Sequence, residues 1–214
     1  IIVYNKGKEL KKFKHFEVLN LKNVGRESHT WLYHIVKNYN QLNEINIFLQ
    51  GKITDLNCMA FSDPNQYLKK INKYGFSASR FGLLGPFHWK WNIGIENDKR
   101  YKDQWLNNKI TKSNLGFRNF ALQMFPTIPV FVATSYSGCF AVKKEKILQY
   151  DISFYQKLLN ILEASKNPIE GHYMERLWCY IFTKNKPLLE SYLDVIKTKI
   201  ERFNLNKLYT RFSE

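Results

Sequence analysis

Three candidate sites in this 214-residue chain place chemically capable side chains where they could bind an anion or move a proton. The first is Asn23-Val24-Gly25-Arg26-Glu27. Gly25 allows a tight turn directly before a helix, whose first backbone N–H groups lack intrahelical partners. Arg26 adds a planar cation beside them, a combination suited to a phosphate or diphosphate. Glu27 and His29, on the first turn, could hydrogen-bond a ribose or sugar. The second is a pair of strand ends, Tyr4-Asn5-Lys6-Gly7 and Gln50-Gly51-Lys52. Ligands of open α/β sheets bind beyond the carboxyl ends of strands. Lys6 and Lys52 would neutralise phosphate charge there, and Asp55, close behind, could ligate a metal. The third is Gly171 to Trp178, where His172 and Glu175 are three residues apart and His172 and Arg176 four, so they can cluster on a helix. Glu175 is then a candidate general base, kept ionised by the positive helix end. Tyr173, Met174, Leu177, Trp178 and Ile181 supply the apolar face opposite. Each stretch has a plainer reading: a Gly turn with a solvated Arg and Glu, polar strand-to-helix loops, and a surface ion pair on an amphipathic helix.

The aromatics Phe87, Trp89, Trp91, Tyr101 and Trp105 could stack on sugars, on bases or on one another. Phe87, Trp89, Trp91 and Ile93 alternate with polar residues, the period of a strand. Half of such a set belongs in a core, which leaves Trp89 and Trp91 as candidate stacking residues if one sheet face is open. G-x-G-x-x-G, Walker A, HExxH and G-x-S-x-G are all missing, so dehydrogenase, P-loop, zincin and serine-hydrolase readings lose their main support. No Asp-x-Asp pair occurs either.

The elements that would position these residues can be read in outline. Ile1 to Tyr4 reads as a buried strand and Phe16 to Leu21 as a second. Trp31, Leu32, Ile35, Val36 and Tyr39 recur at helical spacing, and Ile45 to Leu49 is a β-branched run. Strand, helix and strand with short connections form the pattern of a parallel α/β unit. Ser62-Asp63-Pro64 starts a helix carrying Tyr67, Leu68 and Ile71. Lys99 to Phe125 reads as helix plus loop, and Pro129 to Thr134 and Gly138 to Val142 as strands. Ser153 to Ala164, Gly171 to Phe182 and Leu188 to Phe203 read as helices. The expected fold is α/β: one domain over 1–214, a central mixed, mostly parallel sheet flanked by helices, and a helical C-terminal part. A chain that opens on a strand suggests a processed product or a piece of a longer protein, and no signal-peptide pattern precedes that strand.

Lys and Arg number 33 against 18 Asp and Glu, a net charge of +15 spread evenly over both halves. Such a field favours anionic partners: nucleic acid, phosphorylated small molecules or anionic lipid. A codon bias toward Lys and Asn would give the same excess. No apolar stretch, Ile128 to Ala133 included, comes near the ~20 residues a membrane-spanning helix needs. Cys58, Cys139 and Cys179 are an odd number, far apart and without a CxxC pair, so a disulfide framework and a zinc knuckle are not indicated. A reducing compartment, the cytoplasm, is expected.

YNKG (4–7), NVGRESHTWLYHIVKNY (23–39), INIFLQG (45–51) and GHYMERLW (171–178) resemble, in order and over nearly the whole chain, a family of small domains of unknown function. The second half, with SGCFAVKKEKI (137–147), Phe154-Tyr155 and GHYMERLW, also resembles the acceptor side of GT-A glycosyltransferases. The resemblance implies a nucleotide-binding half over about 1–95, an acceptor half over about 96–214, and an enzyme moving a sugar from a nucleotide-diphosphate sugar, UDP-sugar favoured, to a hydroxyl of a glycan or glycoprotein. It implies Glu175 as the base of an inverting transfer, with His172 and Arg176 beside the diphosphate or the acceptor. Tyr4, Asn5, Lys6, Gly25, Arg26, Glu27, Gln50 and Lys52 would bind the donor, and Trp89 and Trp91 the acceptor. Domains of this kind also occur in multidomain glycosyltransferases of large DNA viruses, a source that the length and the Lys/Asn-rich composition suit. Two departures stand out. Gln50-Gly51-Lys52 occupies the place where the fold carries Asp-x-Asp for Mn²⁺ or Mg²⁺, leaving Asp55 as the metal ligand or Lys52 and Arg26 as its replacement. An extra strand before YNKG is also missing. The alternative is a basic module for nucleic acid or another polyanion without catalysis, against which the even charge and the lack of any nucleic-acid motif weigh.

Overall fold

A computed structural model describes residues 1–8, 10, 15–51, 53, 60–71, 74–85, 99, 101–135 and 138–185. Strands β1 (Ile2–Asn5) and β2 (Glu17–Asn20) come first, then helix α1 (Arg26–Lys37), a 3-10 turn over Tyr39–Gln41 and strand β3 (Ile45–Phe48). Helix α2 (Asn65–Lys69), strands β4 (Phe76–Ser77) and β5 (Gly82–Leu84), and helices α3 (Lys102–Leu106) and α4 (Phe117–Leu122) follow. The chain then runs through β6 (Val132–Thr134), β7 (Phe140–Lys143), α5 (Lys144–Ile147), α6 (Ile152–Leu162) and α7 (Ile169–Thr183). Helices and strands thus mix as α/β expects. The expected strand at Trp89 and Trp91 and the expected helix at Leu188 to Phe203 lie outside the described residues.

The sheet differs from the expectation. Among the described residues there are three small sheets, ordered β1-β2, β3-β7-β4 and β5-β6, in place of one central, mostly parallel sheet. Only β1 and β2 pair as parallel strands; β3 with β7, β4 with β7 and β5 with β6 are antiparallel. The strand–helix–strand run from β2 through α1 to β3 does not close a parallel unit, because β3 takes β7 as its neighbour, with Ile47 opposite Ala141 and Phe48 opposite Phe140. Hydrophobic period specifies a strand but not its partner, and antiparallel pairing needs no crossover helix. The first strand is half-buried rather than buried, with Ile1 almost fully exposed, because its one described strand partner is β2.

The core forms where β7 meets α7. Phe140 packs its ring against Phe48, Phe76, Trp178 and Phe182. Helix α1 buries Trp31, Leu32 and Ile35 against α6 and α7, and α6 contributes Tyr155, Leu158, Leu159 and Leu162. Helix α7 departs most from an amphipathic surface helix. From Tyr173 to Thr183 every residue except Glu175 is buried, His172 as well. The side that carries His172, Arg176 and Cys179 therefore faces the interior rather than solvent, as a helix closed in on most sides must. The loop before α7 is tied to residues after α3: Thr111 N–H donates to Asn167 O at 2.9 Å, and Ile169 N–H to Thr111 O at 3.0 Å. No helix of the described residues is long and apolar enough to cross a membrane.

Candidate functional site

The turn into α1 is built from two successive left-handed residues, Gly25 at φ 62° and Arg26 at φ 56°. A side chain at position 25 has no room: its Cβ would lie 2.5 Å from His29 Cβ and 2.7 Å from Leu162 O. For Arg26 the left-handed conformation costs roughly 1–2 kcal/mol, so the surroundings must hold it. Gly25 N–H donates to Ser165 O at 2.8 Å, and the Lys6 ammonium donates to Val24 O and Arg26 O at 2.6 Å each. Burial lowers the Lys6 pKa to about 8, although Glu27 works against it. Lys6 thus braces the turn, and two of its three donors are already engaged with carbonyls.

The braced turn aims Arg26 at the first turn of α7. The guanidinium lies over Gly171, where a Cβ would come within 3.0 Å of Arg26 Cδ. Its NH1 donates to Asn167 Oδ1 and to His172 Nε2, both at 3.3 Å. Its Nε sits 3.7 Å from Glu27 Oε2, outside hydrogen-bond reach, and has no hydrogen-bond partner. A guanidinium only donates, so His172 accepts through Nε2 and carries its proton on Nδ1. Burial, Arg26 and Arg176 together drive the His172 pKa down to about 2. His172 is therefore a neutral acceptor that orients Arg26, and Tyr101 packs edge-on against its ring at 5.1 Å.

Two carboxylates flank this arginine. Arg176 NH1 donates to Glu175 Oε2 at 3.0 Å and to His172 O at 3.3 Å. Glu175 exposes 14% of its side chain. Burial raises its pKa, Arg176 and Arg26 pull it back, and Glu27 pushes it up again. The expectation that the helix end keeps Glu175 ionised is corrected here: Glu175 sits in the second turn of α7, and desolvation is the largest influence on it. Glu27 also exposes 14%, but its Oε1 is buried without a hydrogen-bond partner. Gly138 leaves it space, since a Cβ there would lie 2.8 Å from Glu27 Cγ and 3.0 Å from Gln50 Nε2. Trp31 Nε1–H holds Gly138 O at 2.8 Å. The end of β3 and the approach to β7 are thereby brought to Glu27.

Beside this cluster opens a cleft of about 560 Å³ lined by Asn23, Arg26, Glu27, Lys109, Lys166 and Asn167. Asn167 joins its two sides, accepting from Arg26 and donating through Nδ2 to Lys109 O at 3.1 Å. Of the residues expected from sequence, Gly25, Arg26, Glu27, Gln50, His172, Glu175 and Arg176 converge here. Lys6 supports the turn from behind. Tyr4 and Asn5 are engaged elsewhere: Tyr4 OH pairs with His34 Nδ1 at 2.8 Å, and Asn5 Nδ2 donates to Lys8 O and Asn20 Oδ1 at 3.0 Å. Lys52, Asp55, Trp89 and Trp91 lie outside the described residues. Among the described residues, no group of three or more His, Cys, Asp or Glu side chains is placed to hold a metal ion. Lys109, Lys166 and Asn167 were not legible as site residues. The one signal was the Asn167-Pro168 dipeptide, which marks a turn.

The sequence profile of the family described as Protein of unknown function (DUF3431) matches residues 2–193, and the chain belongs to that family. No curated protein and no solved structure matches the chain.

Proposed function

We propose that the chain is a glycosyltransferase that moves a sugar from a nucleotide-diphosphate sugar to a hydroxyl of a glycan, with Glu175 as general base. One observation carries this reading. Segments scattered over the sequence, Gly25-Arg26-Glu27, Gln50, Gly138 and His172 to Arg176, meet in one largely buried charged cluster beside an open cleft. A fold held only by its apolar core has no use for two arginines and two carboxylates there, since burying charge is costly. Clusters of titratable groups with environment-shifted pKa values mark functional sites more often than chance.

In the proposed reaction the acceptor O–H gives its proton to the Glu175 carboxylate. The acceptor oxygen forms a bond to the anomeric carbon as the bond from that carbon to the diphosphate oxygen breaks. The electron pair leaves on the nucleoside diphosphate, and the anomeric configuration inverts. Arg26 faces the charge that grows on the leaving group. A base works best with a pKa near the working pH, and burial moves Glu175 upward in that direction. Arg176 holds its carboxylate in place. No step is routed through a metal, because the described carboxylates of the cluster are each ion-paired to arginine. Asp55 is where a divalent ion would enter this reading.

The test is the Glu175→Gln variant. General-base removal costs roughly 10²–10⁴-fold in rate, so transfer should fall by at least about a hundredfold at a temperature where thermal unfolding shows the variant still folded. Retention of full transfer, or of anomeric configuration in the product by NMR, would overturn the role given to Glu175.

A further inference from the structure

We infer that Lys6 is a positioning residue for Arg26: its ammonium, bound to the carbonyls on either side of Gly25, locks the arginine's left-handed backbone and so keeps the guanidinium on His172 beside the cleft. The inference deepens the proposed transfer, in which Arg26 faces the leaving group, and rests on that reading for its catalytic consequence.

Arg26 is held more firmly by its backbone than by its side chain. Its NH1 reaches Asn167 Oδ1 and His172 Nε2 at 3.3 Å each, long for such bonds, and its Nε makes none. The Lys6 ammonium lies 2.6 Å from both Val24 O and Arg26 O, in the short range of charge-assisted bonds. A non-glycine residue at φ 56° persists only where its surroundings over-determine it. Gly25 N–H on Ser165 O fixes one side of the turn, and Lys6 fixes the two carbonyls. A neutral amine donates more weakly than an ammonium, so loss of the Lys6 proton loosens the latch. Burial lowers the Lys6 pKa to about 8, and Glu27 on α1 works against it. His29, also on α1, faces Lys6 as well: burial and the Lys6 charge lower its pKa, and Glu163, just after α6, opposes them from 3.7 Å. His29 is therefore neutral above pH 7, and of the two bases Lys6 is the one that changes charge between pH 7 and 9. The folded chain releases this proton near pH 8 and the unfolded chain near 10.5, so through this residue stability rises with pH over the same range. Positioning and stability thus move in opposite directions as Lys6 titrates.

Nitrogen NMR of the imidazoles in the whole chain tests this without any substrate, the His172 signal being assigned by its loss in His172→Gln. At pH 7 the wild-type His172 Nε2 should show the shift of a hydrogen-bonded acceptor. It should move toward the shift of an unbonded acceptor with a midpoint of about pH 8. Lys6→Gln keeps an amide donor and carries no charge. Its His172 signal should lie nearer the unbonded shift at pH 7 and stay constant to pH 9. Thermal unfolding at each pH establishes that both proteins remain folded. In sugar transfer, the wild-type kcat should fall across the same midpoint. Lys6→Gln should lose at least about tenfold in kcat at pH 7, because small displacements of a positioned group are costly, and should lack that fall. A wild-type His172 signal that ignores pH from 7 to 9, a signal unchanged by Lys6→Gln, or an unchanged kcat in Lys6→Gln would overturn the inference. The transferase reading fails separately: if no sugar is transferred while His172 follows Lys6, the latch on Arg26 stands and the transferase reading falls.

Discussion

His172 should make the folded chain sensitive to acid in a way that can be calculated and removed by one substitution. The side chain is buried, and its pKa falls from 6.5 to about 2 through burial, Arg26 and Arg176. Below pH 6.5 the unfolded chain takes up a proton at this residue and the folded chain does not. Stability is lost wherever the unfolded state binds more protons, so the loss begins as pH drops through 6.5 and continues toward pH 2. Each pH unit is worth about 1.4 kcal/mol, so lowering the pH from 7.5 to 5 should cost about 2 kcal/mol through this residue alone. His172→Gln keeps an oxygen that can accept from Arg26 and cannot titrate. Urea unfolding of both proteins at pH 7.5, 6.5, 5.5 and 5 should show the wild type losing about 2 kcal/mol more than the variant over this range. His29 and His34 also have lowered pKa values, but both proteins contain them, so they cancel in the difference. Equal losses would mean that His172 protonates in the folded state and that Arg26 does not face its Nε2.

Two further substitutions separate the braced turn from the ligand space. Gly25→Ala puts a Cβ 2.5 Å from His29 Cβ at a positive φ. It should destabilise the chain by about 2 kcal/mol or more in chemical denaturation; a change under about 0.5 kcal/mol would mean that the turn relaxes freely. Gly138→Ala meets mainly the flexible side chains of Glu27 and Gln50. Its melting temperature should stay within a few degrees of wild type, while nucleotide binding falls about tenfold as Glu27 is displaced.

Much of the helical framework was legible because apolar residues recur with the helix period, as in α1 and α6. Strand partners were not: Ile45 to Phe48 reads as a strand from its residues, but nothing local says that it pairs with Phe140 to Lys143, nearly a hundred positions away. The candidate site divides in the same way. Gly25-Arg26-Glu27 and His172 to Arg176 were identifiable because unlike chemistry is packed into a few residues. That they face one another follows only from the packing of α1 against α7. The role of Lys6 changed for a related reason. Its sequence context shows a cation near a strand end, whereas the fold turns that cation onto two carbonyls. Glu175 could be placed on a helix from sequence, but its desolvation depends on what surrounds that helix. Lys109, Lys166 and Asn167 are single polar loop residues, and only the tie between Thr111 and Asn167 brings them to the cleft.

The most direct measurement is release of the free nucleotide, a diphosphate from UDP-, GDP- and TDP-sugars and CMP from CMP-sugars, by the wild-type chain and the Glu175→Gln variant, with and without Mn²⁺ and with a short DNA duplex as a control ligand. The account predicts that one nucleotide-diphosphate sugar is turned over by the wild type and at least about a hundredfold more slowly by the variant. Turnover of none of them, with binding instead to the duplex that weakens steeply with salt, would contradict it and assign the charged cleft to a polyanion.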